Sequence, residues 1–183
     1  MGSDHTTPPP PRRAVYPGSF DPPTIAHVHL AETAIAQLGL NHVDFAISAN
    51  TLGKDDARLT PIDERVTELT AISSDNARIG VITTPDSLVA DIAAGYEVII
   101  LGADKWHQVL DPVWYGGVDA RNEALQRLPL VALAARPPWT MPGEDAAADP
   151  PAGVEVVILD TDPSHHPVSA TEVRAGREEW RAK

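Results

Sequence analysis

The sequence predicts an α/β protein of the Rossmann-like, doubly wound class: a mainly parallel sheet of five to six strands with a C-terminal helix. Three observations carry this reading. Short apolar runs bounded by turn residues recur along the chain, helical patterns separate nearly all of them, and residues with chemical reach cluster in the segments that follow the runs. Strands that alternate with helices pair in parallel through right-handed crossovers, and such a sheet takes its ligands outside the carboxyl ends of its strands.

The predicted strands are residues 14–16, 43–48, 79–83, 98–101, 130–134 and 154–159, each a short apolar run of the kind a buried strand shows. Helical patterns fill residues 24–38, 61–73, 87–94 and 118–128, and a last one runs from residue 170 to about residue 181. Thr60 before Pro61 reads as a cap ahead of a first-turn proline, and Ser169 with Glu172 three residues later fits a capping box. Residues 137–153, rich in Pro, Ala and Asp, read as a mobile loop, either a lid or decoration.

Composition bounds the function. At 183 residues, 43% hydrophobic and 22% charged, the chain can bury a core, so wholesale disorder is excluded. Residues 1–12, with Pro8 to Pro11, read as a disordered tail and residues 13–183 as a single domain. The absence of cysteine removes disulfides and thiolate metal sites and suits a reducing, cytoplasmic setting. With 14 Lys and Arg against 26 Asp and Glu, a net charge of −12 repels nucleic acid and anionic membranes. No run approaches the roughly 18 apolar residues of a membrane span. An anionic ligand therefore needs a local cationic pocket, and the expected partners are small molecules. A homo-oligomer is left open.

The first strand empties into Tyr16-Pro17-Gly18-Ser19-Phe20-Asp21-Pro22-Pro23-Thr24-Ile25-Ala26-His27, a tight turn running straight into a helix. A helix start of this kind offers free N–H groups and a positive dipole end to phosphate, with Thr24 and His27 on one face. The segment resembles the GxFDPxTxGH or HxGH signature of the nucleotidyltransferase superfamily, with matches at Gly18, Phe20, Asp21, Pro22, Thr24 and His27. Ala26 stands where the family has glycine. Near the C-terminus, Val168-Ser169-Ala170-Thr171-Glu172-Val173-Arg174 is similar to the family's ISSTxxR, with Ala170 in place of a serine. The plainer reading of this segment is a surface helix capped by Ser169, with Arg174 pairing Glu178 at i,i+4.

Three weaker segments point to the branch that acts on pyridine mononucleotides. Lys54 resembles the family's loop lysine, while as an ordinary loop residue it is solvated beside Asp55 and Asp56. Thr84 and Asp86 agree with a family segment at the pyridine site, SYTxDTL, and Gly102-Ala103-Asp104 with its GAD segment. Trp106 and Trp114 follow, and a tryptophan face stacks well on a pyridinium ring, although either could equally fill a core or a groove. Arg136-Pro137 matches an Arg-Pro pair of the family.

The resemblance implies a Rossmann-like fold and adenylyl transfer from ATP, with Mg²⁺ accompanying the triphosphate, to nicotinamide or nicotinate mononucleotide. It gives catalytic roles to His27, Thr24, Lys54 and Arg174. Gly18, Ser19, Phe20, His27, Gly102, Asp104, Ser169, Thr171 and Arg174 would hold ATP. Lys54, Thr84, Asp86, Trp106 and Trp114 would hold the acceptor. No protein cage is assigned to the metal, since Mg²⁺ keeps waters and phosphate oxygens and takes few carboxylates. His165 and His166 lack a third ligand nearby and read as a loop pair beside the second motif. The alternatives are another acceptor such as phosphopantetheine, CTP as donor, or a nucleotide-binding module without turnover.

Overall fold

The computed structural model describes residues 12–50 and 59–183. Of the tail read over residues 1–12, residues 1–11 lie outside the described residues, as does the loop lysine Lys54, while Arg12 is held to the domain by its amide on Asn41 Oδ1 and its guanidinium on the Leu38 carbonyl, both at 2.8 Å. Six strands, β1 (Arg13–Pro17), β2 (His42–Ser48), β3 (Ile79–Thr84), β4 (Val98–Gly102), β5 (Leu130–Ala134) and β6 (Val156–Leu159), form one sheet in the order β3-β2-β1-β4-β5-β6. Every pairing is parallel. The strand order reverses between β1 and β4, so the crevice above their carboxyl ends is the topological switch point of the sheet.

Among the described residues, six helices accompany the strands: α1 (Ile25–Leu38), α2 (Ile62–Ser73), α3 (Val89–Ile92), α4 (Ala103–Leu110), α5 (Val118–Leu125) and α6 (Ala170–Arg174). Successive residues of a strand point to opposite faces, and here both faces are covered. Ala14, Tyr16, Val98 and Ile100 enter one core with Phe45, Leu30 and Leu69, while Val15, Ile99 and Leu101 enter the other with Trp106, Leu125 and Leu133. This two-sided burial explains why the strands read as unbroken apolar runs. Among the described residues, no helix is long and apolar enough to cross a membrane.

Five expectations need correction. Thr60 does not cap α2: the helix starts at Ile62 with Pro61 in the capping position and no side-chain hydrogen bond there. Helix α4 occupies a stretch that the apolar runs left without an element; its Ala103, Trp106, Val109 and Leu110 are buried, a helical stripe only eight residues long. Helix α3 spans Val89–Ile92 rather than residues 87–94. The last helix ends at Arg174, because Gly176 takes φ 113°, a conformation no helix continues through, and Glu178–Trp180 form a separate 3-10 turn. Residues 137–153 are fastened against α4: Met141 and Ala148 are buried, and the carbonyls of Thr140 and Ala148 meet His107 and Trp106.

Candidate active site

The turn after β1 is built from buried groups. Phe20 takes φ 45° and folds its ring back under Gly18, where a Cβ would meet the ring at 2.8 Å. Glycine is therefore required at position 18. The Phe20 ring sits 5.5 Å from Tyr16 and 5.0 Å from both Phe45 and His27, an aromatic floor beneath the turn. Burial pushes the Tyr16 hydroxyl well above its ordinary pKa, with Asp104 adding to the shift and Arg136 opposing it, so this phenol stays protonated.

Arg65 of α2 is buried and donates from Nε to the Thr60 carbonyl at 2.8 Å and from Nη1 to the Ser19 carbonyl at 2.9 Å. The buried Asp21 accepts the Thr60 amide at 3.1 Å, and the Gly18 amide donates to Ala46 in β2 at 3.1 Å. A buried charged group is stable only when it is well paired, and here its partners are the carbonyls and amides of the turn itself.

Thr24 caps α1. Its amide donates to His27 Nδ1 at 2.9 Å, with its hydroxyl 3.1 Å from the same nitrogen. Because Nδ1 accepts a backbone amide, the neutral ring carries its proton on Nε2, a tautomer fixed by hydrogen bonding. The second motif approaches from across the cavity. Ser169 Oγ accepts the Glu172 amide at 3.2 Å and caps α6. Arg174 donates to Thr171 Oγ1 at 3.2 Å and, from its other terminal nitrogen, to the Asp21 carbonyl. The C-terminal segment is tied to the first turn by the Ala182 amide on the Pro23 carbonyl and to α2 by Arg181 paired with Glu68 at 2.6 Å.

Between the turns lies a cavity of about 400 Å³, within the size range of small-molecule sites. Gly18, Ser19, Thr24, His27, Gly102, Asp104, Ser169, Thr171 and Arg174 all line it. So do Arg136, whose Nε is 3.9 Å from Asp104 Oδ2, and Lys105, whose Nζ donates to Gln108 at 2.8 Å. Among the described residues lining the cavity, Asp104 is the one carboxylate.

Five of the expected site residues are placed elsewhere. Phe20 lies beneath the cavity rather than on its wall. Trp106 is fully buried in the second core, with its indole N–H on the Ala148 carbonyl at 2.8 Å, so it has no face to offer a ligand. Thr84 and Asp86 bond each other at 3.0 Å and act one step back. The Asp86 carbonyl accepts Ser48 Oγ at 2.6 Å and the Pro85 carbonyl accepts Asn50 Nδ2 at 3.0 Å. Ser48 and Asn50 are the residues that reach the cavity. Trp114 is half-buried in a small adjoining pocket that shares Ser87, Val89, Lys105 and Gln108 with the main one.

Sequence reasoning missed Ser48, Asn50, Lys105, Gln108 and His29 as cavity residues. Ser48 ends β2 and Asn50 lies two residues beyond it, beside the switch point, where the fold rule alone directs attention. Lys105 and Gln108 face one way only because α4 is a helix, in which residues three apart are neighbours.

The sequence model of the family described as Cytidylyltransferase-like matches residues 15–176. Among curated relatives, the "Probable nicotinate-nucleotide adenylyltransferase" of Methylorubrum extorquens is 30% identical over 154 residues, covering 75% of this chain and 76% of that protein. The protein of the same name from a second strain of that organism matches equally. Among solved structures, Plasmodium falciparum nicotinic acid mononucleotide adenylyltransferase complexed with NaAD superposes with a TM-score of 0.60 at 16% identity, covering 91% of this chain and 83% of that one. The same enzyme complexed with APC gives a TM-score of 0.59.

Proposed function

From the premise that this chain belongs to the Cytidylyltransferase-like family, we propose that it is an adenylyltransferase of NAD biosynthesis. It joins the AMP moiety of ATP to nicotinate or nicotinamide mononucleotide and releases pyrophosphate. The observation that carries this reading is the convergence of His27 and Arg174, 147 positions apart in sequence, on one cavity at the switch point of the sheet. The names of the relatives favour the nicotinate form of the acceptor.

A phosphate oxygen of the mononucleotide attacks the ATP α-phosphorus in line. The new P–O bond forms as the bond from the α-phosphorus to the bridging oxygen breaks, and pyrophosphate departs with that electron pair. No covalent intermediate with the protein and no proton abstraction from the nucleophile are required, so catalysis rests on alignment and on fixed positive charge. His27 contributes Nε2–H, aimed by the Thr24 amide on Nδ1. Arg174 contributes a planar guanidinium already anchored on Asp21 and Thr171. Lys54, outside the described residues, belongs to the same set by its resemblance.

Mg²⁺ carried on the triphosphate would keep mostly waters and phosphate oxygens; Asp104, the carboxylate lining the cavity, would be its protein ligand, and the ion would neutralise phosphate charge. At the acceptor end, Trp114 lies beside Lys105 and Gln108, where an aromatic face and a cation suit a pyridine ring bearing a carboxylate.

The test is pyrophosphate release by the full chain with ATP and, in turn, nicotinate mononucleotide, nicotinamide mononucleotide and phosphopantetheine, repeated with CTP. A dinucleotide product with ATP and a pyridine mononucleotide is expected. Turnover with phosphopantetheine or CTP alone would move the chain to another branch. ATP binding without turnover on any acceptor would make it a nucleotide-binding module.

A further inference from the structure

Tyr16, next to last in β1, carries a hydroxyl that the fold itself does not use. Its buried ring packs 5.5 Å from Phe20, 5.6 Å from Phe45 and 6.0 Å from His27 between centroids. Among the described residues the hydroxyl has no hydrogen-bond partner, and the charged groups that act on it are Asp104 of α4 and Arg136 beyond β5. The described buried side-chain atoms that lack both a partner and accessible surface are His165 Nδ1 and His166 Nε2. The Tyr16 oxygen is not one of them, so it keeps surface in the cavity that the residue lines.

Tyr96 shows the alternative. Its hydroxyl, toward the amino ends of the strands, donates to Asp44 at 2.9 Å and completes a bond within the fold. A hydroxyl buried without a partner instead costs folding free energy, so phenylalanine, present twice in the same aromatic cluster, would serve the core better at position 16. A polar group retained at that cost needs an explanation, and a role in the reaction is one.

The position of Tyr16 points to the ligand. In the order β3-β2-β1-β4-β5-β6, the carboxyl ends of β1 and β4 stand at the middle of the crevice, and two substrates that react in it meet over that middle. The His27 ring lies against Tyr16 at an interplanar angle of 62°, so the phenol shares its floor with a group already aimed at phosphate. A phenol keeps its proton below about pH 10, and burial tightens that hold, so the group is a donor at neutral pH. A hydrogen bond from it to an anionic phosphoryl oxygen is charge-assisted and strong.

We infer that the Tyr16 hydroxyl is a further catalytic group, which donates a hydrogen bond to a non-bridging oxygen of the α-phosphoryl group as that group passes from pyrophosphate to the acceptor. The proton stays on the phenol throughout. This rests on the adenylyl-transfer reading and deepens it, adding a donor from the sheet to those of the two motif turns.

The test compares the full-length protein with Tyr16→Phe and Tyr96→Phe. Loss of one preorganised donor lowers kcat by about 10²–10³, so Tyr16→Phe should lose at least about tenfold in pyrophosphate release with ATP and its acceptor. Its urea midpoint should stay at or above that of the wild-type chain. Tyr96→Phe should do the reverse, with a lower midpoint and an unchanged kcat. The two α-phosphorothioate diastereomers of ATP then locate the contact, because sulfur accepts a hydrogen bond more weakly than oxygen. Relative to ATP, one diastereomer should slow Tyr16→Phe less than it slows the wild-type chain, and the other should slow both equally. A smaller loss of kcat overturns the inference. So does a fall in the urea midpoint of Tyr16→Phe, which would give the hydroxyl a structural partner. An identical diastereomer pattern in the two proteins also overturns it, by placing the hydroxyl away from the α-phosphorus. If the wild-type chain releases no pyrophosphate with any acceptor, the adenylyl-transfer reading fails. Calorimetry then decides the phosphoryl contact by itself: weaker binding of ATP but not of adenosine by Tyr16→Phe upholds it, and any other pattern overturns it.

Discussion

The two turns that meet at the cavity are built differently. The first is held by other parts of the chain at nearly every step: the Gly18 amide by β2, the Ser19 carbonyl by Arg65, the Asp21 carboxylate by the Thr60 amide, and the Pro23 carbonyl by the C-terminal segment. Phe20, Asp21, Thr24 and Arg65 are all buried. The second turn is a five-residue helix whose Ser169 cap is local, whose Val173 is buried, and whose link to the first turn is the exposed side chain of Arg174. On the proposed mechanism the difference suits two settings: a group that must meet developing charge with no reorganisation belongs on a turn fixed by buried partners, whereas Arg174 stands on a short element held by its own cap and two side-chain bonds.

The largest effect should come from His27→Ala. A preorganised hydrogen-bond donor aimed at developing charge is worth about 10²–10³ in kcat. We expect kcat and kcat/KM to fall together by that amount with little change in KM, because the interaction is made chiefly in the transition state. Retention of kcat within about threefold would remove the catalytic role from the rigid turn and with it the contrast drawn above.

Next is Arg65→Met, which keeps an apolar stem but strands the carbonyls of Thr60 and Ser19. Hydrogen bonds from a charged donor contribute about 1.5–3 kcal/mol each, so loss of the two is expected to cost roughly 3–6 kcal/mol in urea unfolding, together with a fall in kcat although Arg65 does not line the cavity. A loss below about 1 kcal/mol would show that the turn is rigid without its brace.

The doubly wound sheet was legible because two-sided burial writes strands as apolar runs, and each of the six runs is a strand. Both motif turns were legible because glycine, proline and a helix cap impose local geometry: Gly18 lies under the constraint of Phe20, and Ser169 does cap α6. What was not legible depends on tertiary placement. Trp106 and Trp114 are alike in sequence, both close behind Asp104, yet the i,i+3 stripe of α4 turns one into the core while the other stays beside the cavity. Arg65 belongs to a helix of largely polar sequence, and it is the arrival of the first turn over α2 that buries it. Residues 137–153 carry loop composition, but Ala148 packs on α4 and offers its carbonyl to Trp106, a contact that no local rule foresees.

The smallest expected effect tests the adjustable side. Ser169→Ala removes the hydroxyl that accepts the Glu172 amide at 3.2 Å. Loss of such a cap costs about 1 kcal/mol of helix stability. In a five-residue helix this loosens α6 alone, because the segment can open without disturbing the sheet beneath it. Hydrogen exchange should therefore accelerate about fivefold at the amides of Glu172 to Arg174, while the urea midpoint of the whole protein stays near that of the unaltered chain. ATP affinity should fall by a similar few-fold factor, since the nucleotide must order the frayed turn when it binds. A drop in global stability as large as that of Arg65→Met would mean that both turns are integral to the core, and the division of labour between a fixed turn and an adjustable one would be lost.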